Sequence, residues 1–272
     1  MNIQECGRYR LTIPSARILV APEIKAHTDT QILFGEEVEL LEGGELFAQV
    51  HAATDEKIGW VQWLRQAFEP ASSLPPATHR VKTPRASVFS APDAKSPRVA
   101  VLAMNSLISA GSTLPSQGEE FVEVQCFAGG NAWIRSNQLR PVKDFVTDFV
   151  AVQEEFIGTI YGWGERDANP GIDCSALLVQ SLLTAGWSSC PRDTKDQVEV
   201  LGEAIEPSTS LLRGDLVFWK GHVATMVNSN DCIHSTDLAP HHRVLIQPLA
   251  DVVHERRDAG LGEITRVRRL SH

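Results

Sequence analysis

The sequence has little of what marks nucleic-acid-binding or membrane-spanning proteins. It has 25 lysines and arginines but 34 aspartates and glutamates. No long run of basic residues occurs, so the charge pattern of a nucleic-acid binder is missing. No stretch approaches the ~20 apolar residues of a transmembrane helix. The segment Met1–Arg10 also lacks the apolar core of a secretory signal, which predicts a cytoplasmic protein.

Paired cysteines are missing as well. The five cysteines are odd in number, widely spaced and free of any Cys-x-x-Cys pair: Cys6, Cys126, Cys174, Cys190 and Cys232. A scattered, odd set argues against a disulfide framework and is typical of a reducing compartment. Without a Cys-x-x-Cys pair, a structural zinc knuckle is not expected.

An internal repeat fills the first half of the chain. Residues 18–23 (ILVAPE) are echoed by 88–93 (VFSAPD), and 59–62 (GWVQ) by 132–135 (AWIR). Each copy has short apolar runs between Gly, Pro and Asp turns, as small β-barrels do. The pattern resembles the bacterial SH3-like domain, a binding or positioning module. We therefore expect two such barrels, at 1–70 and 78–141, joined by a linker that contains Pro75 and Pro76.

The pattern changes after residue 141. Four apolar residues at helical spacing predict a helix that ends near Gly158. They are Phe145, Phe149, Val152 and Phe156. Five later segments favour strands: 216–219, 223–227, 232–234, 244–246 and 264–270. Helices followed by a sheet predict a third domain, of the α+β class, over 142–272.

Cys174 lies at the predicted start of another helix. Asp173 is a favourable N-cap, and the apolar stripe that follows ends at Gly186. The partial positive charge and free N–H groups of a helix N-terminus stabilise a thiolate, so we expect a lowered pKa for Cys174. The same N–H groups can hold the oxyanion of an acyl intermediate. The alternative interpretation is that Cys174 is a buried structural residue that packs as a small apolar side chain.

Two histidines complete a catalytic arrangement. His222 opens one predicted strand and His234 closes the next, with a hairpin turn at 228–231 between them. A cysteine nucleophile needs an imidazole that exchanges protons with it and with the leaving amine, and the imidazole needs an orienting partner. We therefore predict Cys174 as nucleophile, His222 as base and His234 as orienting residue.

Taken in order, these segments resemble the NlpC family of papain-like cell-wall peptidases. The matching stretches are 161–164 (YGWG), 171–175 (GIDCS), 191–194 (PRDT) with Gln197, 213–219 (RGDLVFW), 222–223 and His234. The resemblance implies a circularly permuted papain-like fold in which a cysteine on a helix precedes histidines on a sheet. It also implies that no metal and no organic cofactor takes part.

Two SH3-like domains ahead of such a domain resemble the subgroup that cleaves the γ-D-glutamyl to diamino-acid bond of murein peptides. In that subgroup the diamino acid is meso-diaminopimelate or lysine, and a free N-terminal L-alanine is favoured. The resemblance implies substrate-binding roles for five residues: Tyr161, Asp173, Ser175, Asp193 and Thr194. Tyr161 would also help to hold the oxyanion. The alternative for Asp193 is a structural role as the cap of a helix that contains Gln197.

Three positions depart from the family pattern. Glu165, Ala176 and Ala224 stand where the family usually has glycine, and the added bulk affects the expected substrate range more than the chemistry. One alternative function is an amidase or acyltransferase on the same Cys-His-His scaffold, and another is a non-catalytic wall-peptide binder. A metal site built from Cys232, His241 and His242 is a further alternative. The sequence leaves the oligomeric state open.

Overall fold

The computed structural model describes residues 6–125, 127, 130, 132–206 and 210–270. Residues 1–5 of the predicted first barrel, and Cys126, lie outside the described residues. The chain forms two compact units, one with residues up to Phe145 and Gly164–Asn169, the other with Val146–Trp163 and Pro170 onward. Within the described ranges, no helix is long and apolar enough to cross a membrane.

The first unit begins with seven antiparallel strands in one sheet. They are β1 (Gly7–Leu11), β2 (Ser15–Leu19), β3 (Thr28–Leu33), β4 (Glu37–Glu42), β5 (Phe47–Ala52), β6 (Lys57–Gln62) and β7 (Phe68–Pro70). Their order is β3-β2-β6-β5-β4-β1-β7. The inward-facing apolar residues form one core, in which the rings of Trp63 and Phe68 stack at 4.6 Å.

Eight more strands follow among the described residues of the same unit. They are β8 (His79–Val81), β9 (Arg85–Phe89), β10 (Arg98–Ala103), β11 (Leu107–Ile108), β12 (Ala110–Ser116), β13 (Glu119–Val124), β14 (Trp133–Arg135) and β15 (Leu139–Pro141). They form a five-stranded sheet, β10-β9-β14-β13-β12, and a three-stranded sheet, β11-β8-β15. A second apolar core lies between them.

The structure explains the sequence repeat. In the first copy, the two repeated segments pair with each other, with Leu19 opposite Trp60. In the second copy, Phe89 pairs with Trp133 in the same way. The echoed motifs are therefore the same two neighbouring strands of a duplicated barrel.

A buried ion pair holds Gly164–Asn169 in the first unit. The guanidinium of Arg166, fully buried, donates to both carboxylate oxygens of Glu36, at 2.9 and 3.2 Å, and to the carbonyl of Gln31 at 2.8 Å. The Gln31 side-chain oxygen accepts from the backbone N–H groups of Arg166 and Asp167. By sequence position this segment, which contains Glu165, falls within the predicted third domain, whereas its contacts place it in the first unit.

The second unit contains four helices and six strands among its described residues. The helices are α1 (Phe149–Glu154), α2 (Cys174–Thr184), α3 (Thr194–Val200) and α4 (Leu249–Asp258). The strands are β16 (Glu203–Ala204), β17 (Leu216–Trp219), β18 (His222–Met226), β19 (Asp231–Thr236), β20 (Arg243–Pro248) and β21 (Arg266–Arg269), in the order β16-β21-β17-β18-β19-β20. Helix α2 is buried along its whole length and packs on α1, β18 and β19.

Helix α1 starts later than the apolar spacing predicts. The Asp148 side chain accepts hydrogen bonds from the N–H groups of Val150 and Ala151, so it caps the helix and fixes its start at Phe149. Phe145 precedes the helix and is exposed, with the Arg80 guanidinium 5.3 Å from its ring centre. The apolar spacing extends to Phe145, on the N-terminal side of the capping residue Asp148 at which the helix begins.

We expect Arg166→Met to destabilise the first unit by about 3–5 kcal/mol, because it leaves the buried carboxylate of Glu36 without its cation. Urea unfolding monitored by tryptophan fluorescence measures the loss. The matched control is Arg257→Met, which removes an exposed Arg–Glu pair with Glu263 and should leave the unfolding midpoint nearly unchanged. Equal effects of the two substitutions would contradict this account.

Candidate active site

The N-terminus of α2 presents Cys174 as its first residue, as the sequence predicts. Asp173 is the N-cap, and its Oδ1 accepts from the backbone N–H of Ala176 at 2.8 Å. The helix stops at Thr184, before Gly186 with its φ of 98°. Cys174 is only 8% exposed.

Asp173 also forms a buried ion pair that patterning did not single out. The Arg192 guanidinium donates to Asp173 Oδ1 at 3.0 Å and to Oδ2 at 2.6 Å. Ser175 joins them, since its hydroxyl donates to Asp173 Oδ1 at 3.0 Å and accepts from Arg192 Nη1 at 2.7 Å. The charge of Asp173 is thus offset directly beside the cysteine. Its Oδ1 caps the helix, and both of its oxygens bind Arg192.

Strand register brings the two histidines together. Strands β18 and β19 pair antiparallel through the hairpin at 228–231, whose turn is held by the Asn228 side chain accepting from the N–H groups of Asn230 and Asp231. His222 Nε2 lies 2.9 Å from His234 Nδ1. The predicted base and orienting residue are therefore hydrogen-bonded to each other.

A third side chain continues this arrangement on β20. His234 pairs with Leu245 and Cys232 with Gln247, so Gln247 lies diagonally from His234 on the same face of the sheet. His234 Nε2 is 2.9 Å from Gln247 Oε1. Patterning identified β20 but gave no sign of Gln247. Only the register shows which of its residues faces His234.

The pKa of Cys174 contradicts the sequence-based expectation. Burial raises the pKa of the thiol to about 12, and the negative charge of Asp173 adds to the effect. The backbone N–H of Val223, which hydrogen-bonds the sulfur, and the charges of Arg192 and Arg256 act in the opposite direction but do not offset burial. Removal of the sulfur from water is thus the largest influence on its pKa.

The histidines are shifted towards their neutral forms. Burial, followed by the charges of His234 and Arg256, holds the pKa of His222 well below its usual range. Burial also lowers the pKa of His234 to about 4, although the hydrogen bond to Gln247 opposes the shift. At neutral pH the resting site thus pairs a neutral thiol with a neutral imidazole. His222 is already in the form that accepts a proton.

Two further side chains, Tyr161 and Arg256, interact electrostatically with Cys174. Burial, and then the negative charges at Cys174 and Asp173, raise the pKa of Tyr161, so its hydroxyl remains a hydrogen-bond donor. Arg256, from α4, is buried with its guanidinium 5.6 Å from the ring centre of Trp219, and that ring lies 5.8 Å from the ring of His222. The positive charge of Arg256 interacts with Cys174 and Tyr161.

Patterning missed Arg256 because it missed the whole of α4. A signal was present in the sequence. Leu249, Val252, Val253 and Arg256 recur at helical spacing, with Asp251 in the first turn and Gly260 beyond the end.

Asp193 and Thr194 lie at the start of α3. Asp193 is the N-cap residue, but its carboxylate makes no capping hydrogen bond and instead pairs with the exposed Lys195 at 3.4 Å. Thr194 is the first helical residue. Their substrate-binding roles stay predictions.

The remaining residues singled out from the sequence lie elsewhere. Ala224 and Cys232 belong to an apolar core cluster of the second unit, and Ala176 is fully buried in α2. His241 Nε2 contacts Glu255 Oε1 at 3.3 Å. In the part of the chain that the structure describes, no three histidine, cysteine or acidic side chains converge as a metal-binding group.

Comparisons with known proteins agree with this architecture. The model of the NlpC/P60 family matches residues 158–258, and that of the bacterial dipeptidyl-peptidase Sh3 domain matches residues 18–62. Dipeptidyl-peptidase 6 from Lysinibacillus sphaericus is 24% identical over 237 residues, which are 81% of this chain and 84% of that protein. An NlpC/P60 family protein from Bacillus cereus, 19% identical, superposes with a TM-score of 0.76 over 97% of this chain and 99% of that one. The predicted papain-like fold with an SH3-like N-terminal region is confirmed.

The raised thiol pKa makes a prediction about reactivity. Alkylation of Cys174 by iodoacetamide in the substrate-free protein should keep accelerating from pH 6 to pH 10, because burial keeps the thiolate scarce throughout this range. Peptide mass spectrometry measures the rate at each pH, and the exposed Cys6 provides an internal reference. A rate that is already constant between pH 6 and 7 would reveal a thiolate–imidazolium pair and contradict the neutral resting site.

Proposed function

Because the chain carries an NlpC/P60 domain and a bacterial dipeptidyl-peptidase Sh3 domain, we propose that it is a cysteine peptidase acting on the γ-D-glutamyl to diamino-acid bond of murein peptides. The substrate in this proposal has a free N-terminal L-alanine. The reaction takes place in the cytoplasm, on peptides released from the wall. In support of a reducing compartment, Cys6, Cys174, Cys190 and Cys232 are free thiols.

Catalysis begins with a proton transfer. Nε2 of His222 is engaged by His234, so Nδ1 is the nitrogen that takes the proton of Cys174. The sulfur then attacks the γ-carbonyl carbon of the D-glutamyl residue. The oxyanion is held by the N–H groups at the start of α2 and by the hydroxyl of Tyr161.

Breakdown of the tetrahedral intermediate returns the proton. The imidazolium of His222 protonates the departing amine of the diamino acid, the C–N bond breaks, and a thioester to Cys174 remains. Water, deprotonated by His222, attacks the thioester and releases the dipeptide and the thiol. His234 stabilises the imidazolium through its hydrogen bond in both steps.

The observation that carries the choice of bond is a buried cation, Arg256, whose charge interacts with Cys174. Arg256 is 4% exposed, and among the described residues its Nε has no hydrogen-bond partner. A buried guanidinium is costly unless an anion binds it. The charge of Asp237 interacts with Arg256, but the Nε–H of Arg256 has no acceptor among the described residues. A γ-linked D-glutamate keeps its α-carboxylate free close to the scissile bond, and this carboxylate supplies that acceptor. The site therefore fits a γ-glutamyl substrate.

Product analysis tests the proposal directly. The tripeptide L-Ala-γ-D-Glu-meso-diaminopimelate should yield L-Ala-D-Glu and free diaminopimelate, measured by liquid chromatography with mass spectrometry. The Cys174→Ala variant is the control and should give no product. Intact tripeptide after prolonged incubation with the wild-type protein would contradict the proposed bond.

Amidation of the substrate tests the role of Arg256. Converting the α-carboxylate of the D-glutamate to a carboxamide should lower kcat/KM of the wild-type protein about 10- to 100-fold, the cost of losing a hydrogen bond between charged groups. Arg256→Gln should cut the acid substrate slowly and lose most of this discrimination. Arg257→Gln, the exposed neighbour, is the control. If Arg256→Gln slows both substrates equally, the guanidinium acts on the sulfur and not on the substrate.

A further inference from the structure

The hydrogen-bond chain behind His222 continues beyond His234 and ends at a carboxylate. Gln247, 8% exposed, accepts from His234 with its Oε1 and turns its amide nitrogen towards α4. That nitrogen lies 3.1 Å from Glu255 Oε1 and 3.2 Å from Nε2 of His241. The carboxylate of Glu255 is an acceptor for this amide nitrogen, and Nε2 of His241 also lies 3.3 Å from the same carboxylate oxygen.

The carboxylate determines the direction of every hydrogen bond in the chain. An ionised carboxylate only accepts, so Glu255 requires the nitrogen end of the Gln247 amide to face it. The amide oxygen must then face His234, and an oxygen there requires a hydrogen on Nε2 of His234. A neutral imidazole carries one hydrogen, so its Nδ1 is an acceptor.

The same logic extends to the base. With a lone pair on Nδ1 of His234, the 2.9 Å contact requires a hydrogen on Nε2 of His222. Nδ1 of His222 is then left without a hydrogen, free to accept the proton of Cys174. If the Gln247 amide were reversed, each hydrogen bond would reverse in turn, and Nδ1 of His222 would already carry a proton.

Tautomer choice matters because the resting imidazole is neutral. A protonated His222 would carry hydrogens on both nitrogens, so it would have no alternative tautomer for its partner to select. A neutral His222 is a base towards the sulfur in only one of its two tautomers. A group that selects this tautomer therefore raises the fraction of the protein that is ready to react.

We propose that Gln247 and Glu255 are positioning residues that together select the reactive tautomers of His234 and His222. Neither residue touches the reacting atoms. Their effect on turnover rests on the proposed peptidase function, whereas their effect on the imidazole tautomers does not. If Gln247 only fills a buried position, any side chain of similar size should serve equally well.

Nitrogen NMR of the substrate-free protein with ¹⁵N-labelled histidine reads the tautomers directly, since the two ring nitrogens differ in chemical shift when one is protonated. At neutral pH the wild-type protein should show hydrogens on Nε2 of both His222 and His234. Gln247→Met keeps the length of the side chain but removes its acceptor, and it should shift both rings towards the Nδ1–H form. Asp258→Asn removes an exposed carboxylate from the same helix as Glu255 and should leave the tautomers unchanged.

A paired substitution distinguishes the effect of hydrogen-bond direction from the effect of side-chain packing at residue 247. In Gln247→Glu combined with Glu255→Gln, a carboxylate accepts from His234 and an amide donates to it from α4, so the original direction is restored. The double variant should recover the wild-type tautomers and a turnover within a few-fold of wild type. Gln247→Met should lower kcat about 10- to 100-fold, as loss of an orienting partner does elsewhere, with little change in KM.

The possible results separate the two proposals. Wild-type tautomers in a well-folded Gln247→Met, or a double variant as slow as Gln247→Met, would overturn the positioning role while leaving the peptidase intact. The expected tautomers in a wild-type protein that cuts no murein peptide would support the positioning role and refute the proposed function. Should Gln247→Met fail to fold, the tautomers of the double variant decide the question.

Discussion

The hydrogen bond between His222 and His234 is the interaction on which the candidate site depends. It exists because β18 and β19 are consecutive strands of a tight hairpin, so the two rings are fixed by backbone pairing and not by long side chains. Register then extends the same face to Gln247 on β20. A rigid sheet thus supplies the base together with the groups behind it, and α2 supplies the nucleophile.

Burial sets the chemistry of this arrangement. Exclusion of water raises the pKa of Cys174 and lowers that of His222, so the resting pair is neutral. The reaction then needs a base whose lone pair already points at the thiol, which makes the hydrogen-bond partners of His222 important. At the start of α2, the charges of Asp173 and Arg192 offset each other inside the protein, and Asp173 caps the helix.

Local patterns in the sequence predicted the helix of Cys174, the strands of both histidines and the duplicated barrels. The helix and the strands depend on capping residues and alternation within a few residues of each other, and the barrels on motifs that recur along the chain. The missed features depend on distant partners. Arg192, Gln247 and Arg256 matter because of what they face, and the segment around Arg166 binds residues more than 100 positions away. A helix N-terminus can be recognised in the sequence and predicts a lowered thiol pKa, whereas burial cannot be recognised there and raises it.

Covalent catalysis by Cys174 is the step on which the proposed reaction depends. The measurement is rapid acid quenching of the protein with the L-Ala-γ-D-Glu-diamino-acid peptide, followed by peptide mass spectrometry. We expect the peptide that contains Cys174 to carry the L-Ala-γ-D-Glu acyl group as a thioester during turnover. Turnover without any acyl group on Cys174, combined with undiminished activity of Cys174→Ala, would contradict the account.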